Sequence, residues 1–329
     1  MGTKLTRLRV LTWHVHGSYL YYLSQTECDF LLPVKEGRPE GYGGRAGSFP
    51  WGVNVREVPA EQVRNEEIDV VLCQSRRNWE TDRFELLTGE QLQLPTVFLE
   101  HDPPRQSPTD TRHPVDDRDV LLVHVTRFND LMWDSGRTPT KVIEHGVTVP
   151  PGTRYSGVLE RGLVVVNGLE RRGRRLGADI FRSVRERVPL DLVGMESERS
   201  GGLGEVPHAD MAPFAARYRF LFNPIRYTSL GLAVCEAMAA GVPVIGLATT
   251  EMATTIENGR NGYVDNDIDN LTARMHELLN DPELARRLGE GARRTARERF
   301  GIERFTRDWI ATLREVAGRE TSPLARATS

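Results

Sequence analysis

Short apolar, β-branched runs alternate along the chain with stretches of helical spacing. Residues 7–15, RLRVLTWHV, form a β-rich run that ends at His16 and Gly17. In SYLYYLSQ, which follows, the apolar positions recur three and four apart. The pattern predicts a strand, a glycine turn and a helix. IDVVLCQS (68–75), LPTVFLE (94–100), DVLLVHVT (119–126) and TKVIEHGV (140–147) are further short apolar runs. Their spacing is that of parallel strands with helices or loops between them. Residues 37–52, with six glycines and no periodicity, read as a loop.

VPPGTRYSG (149–157) gathers two prolines and two glycines and is the best linker candidate. A second series begins at GLVVVNG (162–168), with a helix over 178–187. The runs LDLVG (190–194), YRFLFNP (218–224) and VPVIG (242–246) read as strands, and helices are expected over 271–279, 282–300 and 302–317. Two βα-repeating halves predict an α/β protein with two Rossmann-like, doubly wound domains facing across a cleft. The expected boundaries are 1–149, 150–308, and a helix and tail over 309–329 with the option of crossing back to the first domain. In such sheets ligands sit at the carboxyl ends of the strands, so chemistry is sought in the loops that follow them.

A length of 329 residues fits two domains of roughly 150 residues each. The net charge of -3 gives no global case for nucleic acid as a partner. Cys28, Cys73 and Cys235 are odd in number and lack CxxC spacing. That points to a reducing, cytoplasmic setting and away from a disulfide framework or a cysteine zinc site. The opening MGTKLT fits the loose myristoylation pattern, which many chains match by chance. No transmembrane segment is expected. Residues 230–248 are apolar enough to suggest one, but Glu236 sits near the centre, and Gly241 and Pro243 break the helix.

The same stretch carries the candidate chemistry. YTSLGLAVCEAMAAGVPVIG (227–246) holds a single charge, Glu236, inside a run that otherwise reads as core. A buried carboxylate costs several kcal/mol unless it is paired or hydrogen-bonded. A helix over 230–240, capped by Thr228 or Ser229, starts directly after a strand and presents free N–H groups suited to phosphate. Glu236 lies on the face of Leu232 and Ala233 and leans toward the helix N-terminus. One ligand can then use both features, its phosphates at the amides and its hydroxyls at the carboxylate. A structural alternative, a Glu paired with an arginine of a neighbouring element, is equally compatible with the pattern.

SLGLAVCEAMAAGVPVIG, followed by ENGRNGYV (257–264), resembles the donor-binding half of retaining, nucleotide-sugar-dependent glycosyltransferases of the GT-B fold. The resemblance implies that Glu236 holds the donor ribose and that the amides of Ser229, Leu230, Gly231 and Leu232 hold diphosphate and sugar. Where the family has a first Glu, eight positions earlier, this chain has Thr228, whose hydroxyl is a weaker partner for a sugar. LPTVFLEHDPP resembles the strand ending in a His that reaches the donor sugar, here His101. KVIEHGV resembles the strand and turn that close the first domain, and His16-Gly17 its first glycine loop, which makes Gly17 a donor-binding candidate. The family's diphosphate-neutralising Arg and Lys are missing, with Gly168 at the Arg position and no lysine in the segment. Arg172 and Arg175 are the proposed substitutes, since planar guanidinium groups suit phosphate.

Other features have plainer readings. His101 also fits a turn residue bonded to its own backbone, and His14 and His16 fit structural histidines, lacking a third ligand at metal spacing. Seven arginines between Arg171 and Arg187 also fit a solvated basic face. VDNDIDN (264–270) has DxD spacing but reads as the cap of a helix. The 37–52 loop, with Tyr42, Phe49 and Trp51, is either an acceptor-stacking loop or surface loop. The expected activity is transfer of a sugar from a nucleoside diphosphate to an acceptor (small molecule, glycan or lipid-linked), with retention and without metal or other cofactor. The resemblance implies front-face attack, the leaving phosphate taking the acceptor proton, with domain closure about 149–157 excluding water. Two rivals stand beside it: a same-fold epimerase or hydrolase, and a sugar-nucleotide-binding protein without activity, which Thr228 favours.

Overall fold

The computed structural model describes residues 7–318, so the MGTKLT pattern lies outside the described residues. The chain divides into two compact units. The first takes the described residues up to Glu144 and those from Glu303 onward, and the second is His145–Ile302.

The first unit holds seven strands, β1 (Leu8–Thr12), β2 (Cys28–Val34), β3 (Val55–Pro59), β4 (Val70–Cys73), β5 (Thr96–Glu100), β6 (Val120–His124) and β7 (Thr140–Val142). They form one sheet in the order β3-β2-β1-β4-β5-β6-β7, and every pairing is parallel. Strands buried on both faces explain the near-continuous apolar runs in the sequence. Helices α1 (Gly17–Leu23), α2 (Arg83–Leu86) and α3 (Arg127–Met132) are short, and much of the connecting chain is irregular. Leu11, Trp13, Val71, Phe98 and Leu122 lie in one buried cluster. The C-terminal helix, Ile302–Ala317, completes this unit. Its fully buried Trp309 donates from Nε1 to the Tyr19 hydroxyl at 3.1 Å, and Phe305 meets the Tyr19 ring edge-on.

The second unit has five parallel strands, β8 (Leu159–Val165), β9 (Leu190–Val193), β10 (Tyr218–Asn223), β11 (Val244–Leu247) and β12 (Gly262–Asp265), in the order β12-β11-β10-β8-β9. Its helices are α4 (Leu169–Arg172), α5 (Ala178–Arg185), α6 (His208–Ala215), α7 (Leu232–Ala240), α8 (Met252–Thr255), α9 (Ile268–Asn280) and α10 (Pro282–Arg299). Phe181, Leu192, Phe220, Phe222, Ile245 and Met275 are among the side chains of its core. Residues 149–157 are bonded into this unit. The Tyr155 hydroxyl donates to the Arg219 carbonyl at 2.8 Å, and the Ser156 amide to that of Ala216.

The strand orders place a reversal between β1 and β4 in the first sheet and between β8 and β10 in the second. Loops diverge at such a point and leave a crevice at the strand carboxyl ends.

Three local expectations need adjustment. Helix α7 begins at Leu232, two residues later than expected, with Gly231 rather than Thr228 or Ser229 at the cap position. Arg226 to Ser229 form a bend, and the Leu230 carbonyl that follows is drawn to His145. Tyr42 is fully buried, donates to Asp82 at 2.9 Å and lies under the Lys35 ammonium, so it cannot stack on an acceptor. Phe49 and Trp51 pack against Tyr21 and each other. The DxD stretch is a helix cap as expected: the Asp267 carboxylate accepts from the amides of Asp269 and Asn270 at the start of α9.

Candidate functional site

The crevice between β8 and β10 is bordered by the loop from Val166 to Gly177 and by the loop from Pro224 to Gly231. These loops are bonded to each other. The Arg226 and Tyr227 amides donate to the Arg175 carbonyl at 3.0 and 3.3 Å, and the Arg175 guanidinium reaches the Tyr227 carbonyl at 3.5 Å. Gly177 permits this approach. Its φ is +80°, and a Cβ there would lie 2.1 Å from the Pro224 carbonyl oxygen.

At the end of the second loop, Gly231 is extended (φ −72°, ψ 139°) and α7 turns away from it. The first amides of a helix have no partner within it and carry the positive end of its dipole. Space exists in front of them, since a Cβ on Gly231 would meet nothing within 4 Å. Ser229, Gly231 and Leu232 are half-buried, whereas Leu230 turns inward and is 2% exposed. Its carbonyl accepts from Nε2 of the buried His145 at 2.7 Å. Nothing in the sequence pattern marked His145 for this role, because the contact joins positions 85 residues apart.

Glu236 lies one turn into α7 and is 8% exposed, so the carboxylate is indeed within the core. Its Oε1 stands 3.8 Å from Nδ1 of His208, the first residue of α6. Burial lowers the His208 pKa, which keeps that ring neutral near pH 7. The carboxylate therefore stands beside an imidazole whose charged form burial disfavours. A carboxylate so placed favours a hydroxyl-bearing partner.

Of the arginines, Arg175 is drawn to the Tyr227 carbonyl, while Arg172 ends α4 half-buried. Arg174 and Arg226 converge on Asp179, which their guanidinium groups hold at a pKa of about 2 against the opposing effect of its partial burial, Arg226 contributing most. Thr228 lies half-buried between Arg226 and the α7 cap.

The reversal in the first sheet gathers a second group. Gln74, just after β4, donates to the Thr12 hydroxyl and the Trp13 carbonyl, both at 2.9 Å. Its Oε1 lies 3.0 Å from Nε2 of His101, which follows β5. The His101 ring is 4.1 Å from that of His16 and meets Tyr19 edge-on. His101 is thus held by a side chain from a neighbouring strand end. Gly17 opens α1, and a Cβ there would press on the Phe49 ring at 2.8 Å. His14 is structural, its Nδ1 lying 2.6 Å from the Gly44 carbonyl. Among the described residues no group of three His, Cys, Asp or Glu is disposed to hold a metal ion.

With this geometry in place, comparison with known proteins assigns the segment that carries it. Residues 165–281 match the family model described as Glycosyl transferases group 1. The described residues have the GT-B fold. Sucrose-phosphate synthase from Thermosynechococcus elongatus superposes with a TM-score of 0.70 at 16% identity, over 94% of this chain and 99% of that one. Anabaena HepE, solved in complex with UDP and glucose, gives 0.67 at 14% identity, over 94% and 100%. A lipopolysaccharide core biosynthesis mannosyltransferase from Rhizobium leguminosarum bv. viciae is 29% identical over 202 residues, 50% of this chain and 57% of that protein. The curated relatives are matched over only about a fifth to just over half of their length. Among the described residues, no helix is long and apolar enough to cross a membrane.

Proposed function

We propose that the chain is a glycosyltransferase that binds a nucleoside-diphosphate sugar through its second unit and transfers the sugar to an acceptor with retention of configuration. The observation that carries this reading is a convergence at the β8/β10 crevice. The open N-terminus of α7, the Arg175 guanidinium and the buried Glu236 border one point of reversal inside the segment matched by the group 1 family model. That HepE was solved with UDP and glucose supports a sugar nucleotide as the ligand.

In this reading the amides of Ser229 to Leu232 and the guanidinium groups of Arg172 and Arg175 hold the diphosphate. They stabilise the charge that gathers on it as the glycosidic bond breaks. Glu236 accepts from the ribose hydroxyls, and its burial strengthens those bonds. Thr228 meets the transferred sugar with a hydroxyl. Gly17 and His101 are assigned to the donor by family resemblance, His101 contacting the sugar. No protein nucleophile is assigned, since the leaving phosphate accepts the acceptor proton.

The test is a thermal-shift panel of UDP-, GDP-, ADP- and dTDP-sugars on the wild type and Glu236→Ala. One donor is expected to raise the wild-type melting temperature by several degrees and to lose that effect in the variant. No response from the wild type, or equal responses from both, overturns the assignment. Thr228 favours a second reading, a sugar-nucleotide-binding protein without transferase activity. Nucleotide stabilisation with no transfer to any acceptor in a broad pool decides for it.

A further inference from the structure

We propose that the Arg226–Asp179 pair is a positioning device that sets the loop from Pro224 to Gly231 for the distal phosphate of a nucleoside diphosphate. The inference rests on the functional reading above and adds two residues outside the stretch 227–246 that carries the resemblance.

The geometry is specific. The Arg226 guanidinium forks onto Asp179, with Nη1 to Oδ1 at 2.6 Å and Nη2 to Oδ2 at 2.8 Å. Nη1 also donates to the Arg174 carbonyl at 2.7 Å. The Arg226 main chain adds a bond from its amide to the Arg175 carbonyl at 3.0 Å. One residue thus binds the donor loop to three successive parts of the neighbouring segment: Arg174, Arg175 and the first turn of α5. At the base of the loop, the Thr249 hydroxyl donates to the Ile225 carbonyl at 3.2 Å. With these bonds in place the backbone between Ile225 and Thr228 has little freedom.

The energetics favour positioning over bulk stability. Both side chains are about one-third exposed, 30% for Arg226 and 32% for Asp179. A pair so exposed contributes little to the global folding free energy. Its bidentate form, however, fixes orientation as well as distance, which a lysine cannot do. Asp179 also holds Arg174 at 2.6 Å, so its carboxylate is the anchor of a two-arginine network. Loop amides that are already aimed need no reordering when an anion arrives, and the affinity saved is that ordering cost. The saving applies to the phosphate that meets the α7 amides and not to the rest of the ligand.

The experiment is isothermal calorimetry of the intact chain with UDP, GDP, ADP and dTDP. The nucleotide that binds most tightly is then compared with its monophosphate in wild type, Arg226→Ala, Arg226→Lys and Asp179→Asn. Expected are a loss of about tenfold or more in diphosphate affinity for Arg226→Ala and Asp179→Asn, with a loss no greater than about twofold for the monophosphate. Arg226→Lys is expected to recover only part of the loss, with melting temperatures of all variants within a few degrees of wild type. Wild-type affinity for the diphosphate in both Arg226→Ala and Asp179→Asn overturns the inference, as does an equal loss for mono- and diphosphate. If Arg226→Ala does not fold, Arg226→Lys and Asp179→Asn decide by the same comparison. A wild type that binds none of the four nucleotides overturns the functional reading itself, and is thereby distinct from a failure of the pair.

Discussion

His145 donates from Nε2 to the Leu230 carbonyl at 2.7 Å, joining the first residue of the second unit to the residue before the cap of α7. Both partners are buried, at 4% and 2% exposure. The bond answers a carbonyl that helix α7 leaves outside its own ladder.

Replacing His145 by leucine leaves that carbonyl without its donor in an apolar place. The expected cost is about 1–3 kcal/mol in urea-induced unfolding, the penalty for a buried group deprived of its hydrogen bond. Asparagine, which retains an N–H donor, is expected to lose less. An unchanged denaturation midpoint for His145→Leu would show that the bond carries no weight.

In the proposed function Glu236 serves binding rather than stability. A buried carboxylate kept for a ligand is a burden on the ligand-free protein. Glu236→Gln is therefore expected to leave the melting temperature unchanged or raise it by a few degrees, while removing the shift caused by a nucleoside diphosphate. A large fall in melting temperature without ligand would identify Glu236 as a structural residue instead.

Gly177 lies where two loops approach, with φ at +80° and the Pro224 carbonyl oxygen 2.1 Å from the position of a Cβ. Alanine must strain the backbone and push the loops apart. A loss of at least about 1–3 kcal/mol is expected from the strain alone. The displacement should also weaken nucleotide binding. Chemical denaturation with a parallel binding titration measures both, and wild-type values in each would refute the close approach.

His124, at the end of β6, is fully buried, and burial lowers its pKa from 6.5 to about 3. The unfolded chain therefore binds a proton that the folded chain refuses. Stability from this group is full above pH 6.5 and is lost as pH falls from there toward 3, at about 1.4 kcal/mol per pH unit. Replacing His124 by phenylalanine is expected to flatten that acid limb. Unfolding free energies measured between pH 7 and 4 check it, and equal slopes for the two proteins would contradict it.

Much was legible along the chain. The apolar runs 68–75, 94–100 and 119–126 are β4, β5 and β6 with their flanking residues, because strands covered on both faces must be apolar throughout. The Asp267 cap was equally plain, since an aspartate ahead of a helical stretch satisfies amides only two and three positions on. The strand–helix transition around 224–232 and the buried Glu236 were visible for the same reason: local spacing sets them. The start of α7 was not, being two residues later than its polar neighbours suggested.

What only the tertiary structure decided are the long-range partners. The meeting of Arg226 with Asp179, of His145 with Leu230 and of Gln74 with His101 spans 47, 85 and 27 positions respectively. Each sheet's strand order sets neighbouring loops side by side, Gln74 with His101 in the first unit and Arg226 with Asp179 in the second. The sequence by itself determined most of the strands, the longest helices and the place of the strand-to-helix turn before α7. Periodicity and capping act over a few residues and leave their mark there. Which side chain answers a given carbonyl or carboxylate depends on strand order, and no local pattern encodes that order.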